Sequence, residues 1–156
     1  MKKILLYILL TFSFTISAEE MLPLSKYIKE NPKYRDFKSD LSSSNYFASR
    51  CSAIISKAEN RTKQDSKYLD AAKTFKRVGE VYDQANFITA NLNGISMEAS
   101  LDRYKAFLDY YEKATMESWK LNNDMFAGVL GEDLNVCTSN FKYFDSFTSK
   151  NNAAFK

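Results

Sequence analysis

Cys51 and Cys137 are the only cysteines in a chain of 156 residues that contains no histidine. Thiols can pair, ligate metal or act as nucleophiles, and the last two uses commonly draw on an imidazole. The missing histidine excludes a Ser-His-Asp or Cys-His pair, a His-bearing zinc site, a Glu-x-x-His di-metal site and a His-ligated haem. Four glycines, in no Walker or dinucleotide-binding pattern, supply no phosphate-cradling loop. Carboxylates remain as candidates. Glu80, Asp83, Asp102, Asp109, Glu112, Glu117, Glu132 and Asp133 are interleaved with lysines. No spacing forces two of them to converge, so they read as solvated helix faces. The expectation is a non-catalytic protein with no metal site and no cofactor.

Two other chemistries stay open. An even cysteine count in an exported protein points to a disulfide, and only the Cys51–Cys137 pairing exists. The other is aromatic contact: the chain holds 12 Phe, 10 Tyr and 1 Trp, ample surface to bury. Tyr104, Tyr110, Tyr111 and Trp119 crowd one segment, and Phe141, Tyr143, Phe144 and Phe147 crowd another. Aromatics at helical spacing read as core. Tyr110 and Tyr143 fall beside the apolar stripes and are the expected contact surface.

The elements that would position these residues follow from periodicity. Met1-Lys2-Lys3, an apolar stretch from Ile4 to Ile16 and the small pair Ser17-Ala18 have the order of a secretory signal peptide, 1–18. The cut is expected after Ala18, or after Ser17. Its removal takes Lys2 and Lys3 and leaves 20 basic against 19 acidic side chains, which gives no general attraction to nucleic acid. No stable membrane span is expected after cleavage. The start looks bacterial, so the expected location is periplasmic or secreted. Residues 19–44 carry both prolines and many lysines. They read as a polar, loosely packed arm, with a short amphipathic turn over Leu22, Leu24, Tyr27 and Ile28.

Four helices are expected in 45–150. The first spans about 45–60, with Phe47, Ala48, Cys51, Ile54, Ile55 and Ala58 apolar. The second spans about 67–92, from Leu69 through Ala72, Phe75, Val78, Tyr82, Ala85 and Ile88 to Leu92. The third, about 97–121, steps Met97, Leu101, Tyr104, Leu108, Tyr111. The fourth starts near 125 and carries Phe126, Leu130, Leu134, Cys137, Phe141, Phe144 and Phe147. Residues 151–156 are a fraying tail. No run alternates with period two. Within the second helix, Phe75-x-x-Val78-Gly79-x-x-Tyr82 resembles the first helix of a tetratricopeptide repeat over eight residues. Asn91, Ile95 and Glu98 depart from that pattern and nothing recurs elsewhere, so Gly79 is read as a close helix crossing.

Short links favour antiparallel neighbours. The expected fold is all-α: an up-down-up-down four-helix bundle whose first and last helices are joined by Cys51 and Cys137. The expected role is a protein-binding module of the cell envelope. The alternative is a helical bundle binding a small apolar or aromatic ligand in an aromatic-lined cavity.

Overall fold

The computed structural model describes residues 21–152; the signal-peptide segment 1–18 and the tail beyond 152 lie outside the described residues. Those described form six α-helices and no strand: α1 (Leu24–Glu30), α2 (Pro32–Arg35), α3 (Leu41–Thr62), α4 (Leu69–Leu92), α5 (Met97–Asn122) and α6 (Val129–Asn151), with a 3-10 turn at Ser66–Tyr68. The described residues are all-α, as their apolar periodicity predicts, and carry the Cys51–Cys137 disulfide.

Helix α3 begins four residues before the expected start. The cap is Asp40, whose carboxylate accepts from the Ser43 N–H at 2.7 Å and from the Ser43 hydroxyl. Those two bonds hold the Asp40 carboxyl below its usual range. Ser43 and Ser44 are therefore inside the helix and buried. Their hydroxyls reach back to the carbonyls of Lys33 and Phe37. Nearly every side chain from Ser43 to Ile55 is buried, far more than one stripe. Ser, Ala and Cys supply many of these positions, and such small side chains let neighbours approach from several directions.

Three long helices use that access. Asn45 donates to the Asn86 carbonyl at 3.0 Å and to Thr89 Oγ1 at 3.1 Å on α4. Arg50 and Lys57 meet Tyr111 and Glu112 on α5. Cys51 bonds Cys137 on α6, with the Cα atoms 5.5 Å apart, while Phe47 stacks near Phe144. Tyr82 of α4 donates to the Cys137 carbonyl at 2.6 Å beside the bridge, and burial pushes its hydroxyl pKa up.

The 19–44 arm is not loosely packed over its described part. Leu24 and Phe37 are buried, and Phe37 stacks on Phe47 at 4.2 Å between ring centres. Each such side chain contributes roughly 1.5–3 kcal/mol when taken from water. The lysines of the arm stand outside while its sparse apolar residues point in. Pro32 opens α2 at the position where its fixed φ fits a helix start.

Helix α5 also departs from expectation. Met97 and Leu101 were assigned to its core stripe, yet they are 57% and 47% exposed. The buried face is Ser100, Phe107, Tyr111, Thr115 and Ser118. The expected stripe joins the core through Tyr104, Leu108 and Tyr111, and only its first two members, Met97 and Leu101, lie outside, where Ser100 is buried instead. Leu69 and Leu92, at the two ends of α4, are exposed as well.

Helix α6 starts at Val129 rather than near 125. Gly128 takes a positive φ of 63°, and the Ser118 hydroxyl ties the preceding loop through the Asp124 and Ala127 carbonyls at 2.8 and 3.0 Å. Gly131 lies so close to this loop that a Cβ there would collide with the Phe126 carbonyl oxygen. Gly79 differs: a Cβ would sit 3.4 Å from Ile55 Cγ2, an ordinary contact.

Gly79→Ala should therefore be tolerated and gain up to about 1 kcal/mol of helix propensity, whereas Gly131→Ala should lower the melting temperature; thermal unfolding of the two variants checks the contrast. Replacing Cys51 and Cys137 together by Ser should cost roughly 2–5 kcal/mol in denaturant titration. A double variant as stable as the parent would remove the bridge from any part in stability.

Candidate functional site

Asp133, which sequence reasoning left on a solvated face, meets in the interior an arginine that it did not single out. Arg50 of α3 and Asp133 of α6 are both fully buried and pair through Nη2 and Oδ2 at 2.7 Å. Arg50 Nε donates to the Tyr111 hydroxyl at 2.8 Å, and that hydroxyl donates to Asp133 Oδ2. Arg50 Nη1 reaches Tyr46 at 3.3 Å and Nη2 reaches the Leu22 carbonyl at 2.6 Å. The other carboxylate oxygen, Oδ1, accepts from the Leu24 N–H at 2.5 Å. Burial opposes the Arg50 charge, yet Tyr111 and Asp133 outweigh it and raise its pKa further. The Tyr111 hydroxyl is driven well above its usual value, first by burial and then by the Asp133 charge, against the pull of Arg50.

This cluster has no unsatisfied acid or base to offer a substrate. Every Arg50 nitrogen and both Asp133 oxygens are engaged, three of the bonds reaching the chain's own arm or its neighbours. Its chemistry is positional: it fixes residues 22–24 by their backbone atoms. The sequence did carry a signal for it. Asp133 sits three residues after Leu130 and four before Cys137, on the apolar stripe itself; Arg50 lies three after Phe47 and four before Ile54.

Tyr110 and Tyr143, expected as a contact surface, are half-buried and face the same arm. The Tyr110 hydroxyl donates to the Met21 carbonyl at 2.5 Å, and its ring lies 5.6 Å from the Arg50 guanidinium. Tyr143 donates to the Lys38 carbonyl at 2.9 Å and sets its edge against Phe37. The structure places them at two ends of one intramolecular contact. The disulfide residues Cys51 and Cys137 lie one residue and one turn away from Arg50 and Asp133.

Open surface of another kind lies along α5. Near its C-terminal end, Arg61, Thr115, Met116, Trp119, Lys120 and Met125 line a groove of about 340 Å³, with Met116 and Trp119 half exposed. Arg61 and Lys57 share Glu112 at 3.2 and 2.6 Å, and the Lys57 bond holds the Glu112 carboxyl below its usual range. Near the α5 N-terminus a smaller groove of about 190 Å³ runs between Phe87 on α4 and Met97, Leu101 and Tyr104, over Ser52, Asp83, Asn86 and Ser100. Sequence reasoning missed both, because Trp119 was read as core and Met97 and Leu101 as stripe.

Among the described residues no group of three or more His, Cys, Asp or Glu could hold a metal ion, and no helix is long and apolar enough to cross a membrane. No family model, no curated protein and no solved structure matches the chain.

Asp133→Ala should destabilise the protein by roughly 3–5 kcal/mol, since it strands a buried guanidinium. Tyr110→Phe removes the bond to the Met21 carbonyl and should cost about 0.5–1.5 kcal/mol. In hydrogen exchange, Tyr110→Phe should speed exchange of the Leu24 amide while leaving α3 protected. Equal stability of Asp133→Ala and the parent would show that the pair contributes nothing net.

Proposed function

We propose that this protein is an exported, non-catalytic protein-binding module of the cell envelope, released from a signal peptide at 1–18. We also propose that the four long helices form an up-down-up-down bundle. The residue pairings support that topology: Asn45–Asn86 with Ser52–Asp83, and Phe47–Phe144 with Cys51–Cys137, run in opposite directions, while Arg50–Tyr111 and Lys57–Glu112 run in the same direction.

The observation that carries the binding reading is the Trp119 groove. Trp119 is the chain's single tryptophan and is 51% exposed beside Met116 and Met125, with Arg61 and Lys120 at its edge. Trp and Arg dominate binding hot spots, and an apolar centre with a charged rim is the anatomy of a transient interface. Methionines adapt that centre to a partner's shape. The groove stands on two helices cross-linked through Glu112, a firm base for recognition.

Two facts weigh against the ligand-cavity alternative. Of the aromatic rings expected to line a cavity, several pack on one another instead: Tyr110 on Tyr111, and Tyr143 on Phe144 and Phe147, stand 5.0–6.3 Å apart between centres. Both grooves are open to solvent rather than enclosed.

Trp119→Ala should keep helicity and melting temperature while weakening capture of its envelope partner by about 30-fold, the equivalent of a 2 kcal/mol hot spot. In the parent, partner binding should shift the emission of the lone tryptophan. Capture unchanged by Trp119→Ala would overturn the assignment of this groove.

A further inference from the structure

The smaller groove differs from the Trp119 groove in charge as well as place. Met97, Leu101, Tyr104 and Leu108 step by four, three and four along α5, the spacing of a helix-pairing seam. Tyr104 and Leu108 pack on the core, which leaves Met97 and Leu101 as the exposed end of that seam. Beneath them lie the Ser52 and Ser100 hydroxyls and the Asn86 amide.

The rim is acidic. Asp83 lines the groove, and Glu59 and Glu80 act on it electrostatically. Glu98 and Asp102 flank Met97 and Leu101 in the first turns of α5. Lys63 takes Glu59 at 3.1 Å and Lys105 takes Asp102 at 3.8 Å. None of the ion pairs among the described residues includes Glu80, Asp83 or Glu98. Crowding by the protein, together with Glu59 and Glu80, pushes the Asp83 carboxyl up, against the bond it accepts from Ser52. A carboxyl with a raised folded-state pKa subtracts from stability at neutral pH, so the chain keeps there a charge that its own fold does not neutralise. The acidity is local, because the chain without 1–18 carries 20 basic against 19 acidic side chains.

We propose that the groove at Met97 and Leu101 is a docking site for a basic amphipathic helix of a partner protein. Apolar side chains one turn apart on that helix enter over Leu101, and a flanking Lys or Arg meets Asp83 and Glu80. A groove of about 190 Å³ falls below the ordinary range for small-molecule sites and suits inserted side chains instead. The proposal does not depend on the Trp119 groove. The two lie 18 residues apart along α5 (Leu101 to Trp119), about 27 Å at the helical rise.

The test uses the full disulfide-bonded protein and two labelled synthetic helices. Both have Leu at i, i+3, i+4 and i+7; one has Lys and the other Glu at the remaining positions. Fluorescence anisotropy should report binding of the Lys helix, weakening with added salt, and no comparable binding of the Glu helix. Glu80→Lys, an exposed rim change that threatens no core contact, should weaken the Lys helix severalfold. Combined with Asp83→Lys, the loss should reach about tenfold. Trp119 emission should stay unchanged on binding, which separates this groove from the other. Equal binding of both helices, indifference to charge reversal, or a Trp119 shift tracking the Lys helix would overturn the proposal. So would a dimer in sedimentation that Leu101→Glu dissolves, since a second copy would then cover the face.

Discussion

A guanidinium and a carboxylate buried together constrain this molecule more than any other pair. Removing both charges from water costs several kcal/mol each, and only close geometry with every remaining hydrogen-bonding position filled repays that cost. Arg50 and Asp133 meet those terms by recruiting Tyr111, Tyr46 and the backbone of residues 22–24. Displacing any one of these leaves a polar group stranded. The positions of α3, α5, α6 and the arm are thereby made to depend on one another.

The covalent bridge and the ionic one are neighbours. Cys51 follows Arg50, and Cys137 lies a turn beyond Asp133. The disulfide narrows the distances α3 and α6 can explore, so the charged pair meets with little further ordering. Small side chains on α3 make room for both. A bulkier central helix would hold its neighbours too far away for the Arg50 side chain to be enclosed on all sides.

Much of this was legible in the residues. The apolar recurrences placed the long helices to within a few positions, and the two cysteines named their own partner. The first failures came where local chemistry outranked periodicity. Asp40 captured the start of α3 from the serines after it, and Gly128 delayed α6. A deeper failure concerned charge. Asp133 was read as solvated and Arg50 was not singled out, although both lie on apolar stripes; charged residues are almost never fully buried unless paired, and with partners 83 residues apart neither stripe shows where the opposite charge lies. The start of α5 was misread because Met97 and Leu101 outscore Ser100 in hydrophobicity, while packing selected the smaller residue. The same misreading concealed the candidate site: side chains assigned to the core could not also be considered as surface.

The grip on the arm has a consequence for the order in which the molecule can be completed. Leu24 and Asp133 are 109 residues apart, so the earliest described residues are held by a helix synthesised long after them. While a chain is being made or threaded through a pore from its N-terminus, the cradle for residues 22–24 does not yet exist. Helices α3 and α4 can begin to pair as soon as they emerge, but the arm waits until α5 and α6 have arrived and the charges have closed. Seating of residues 22–24 thus reports that α6 has been delivered.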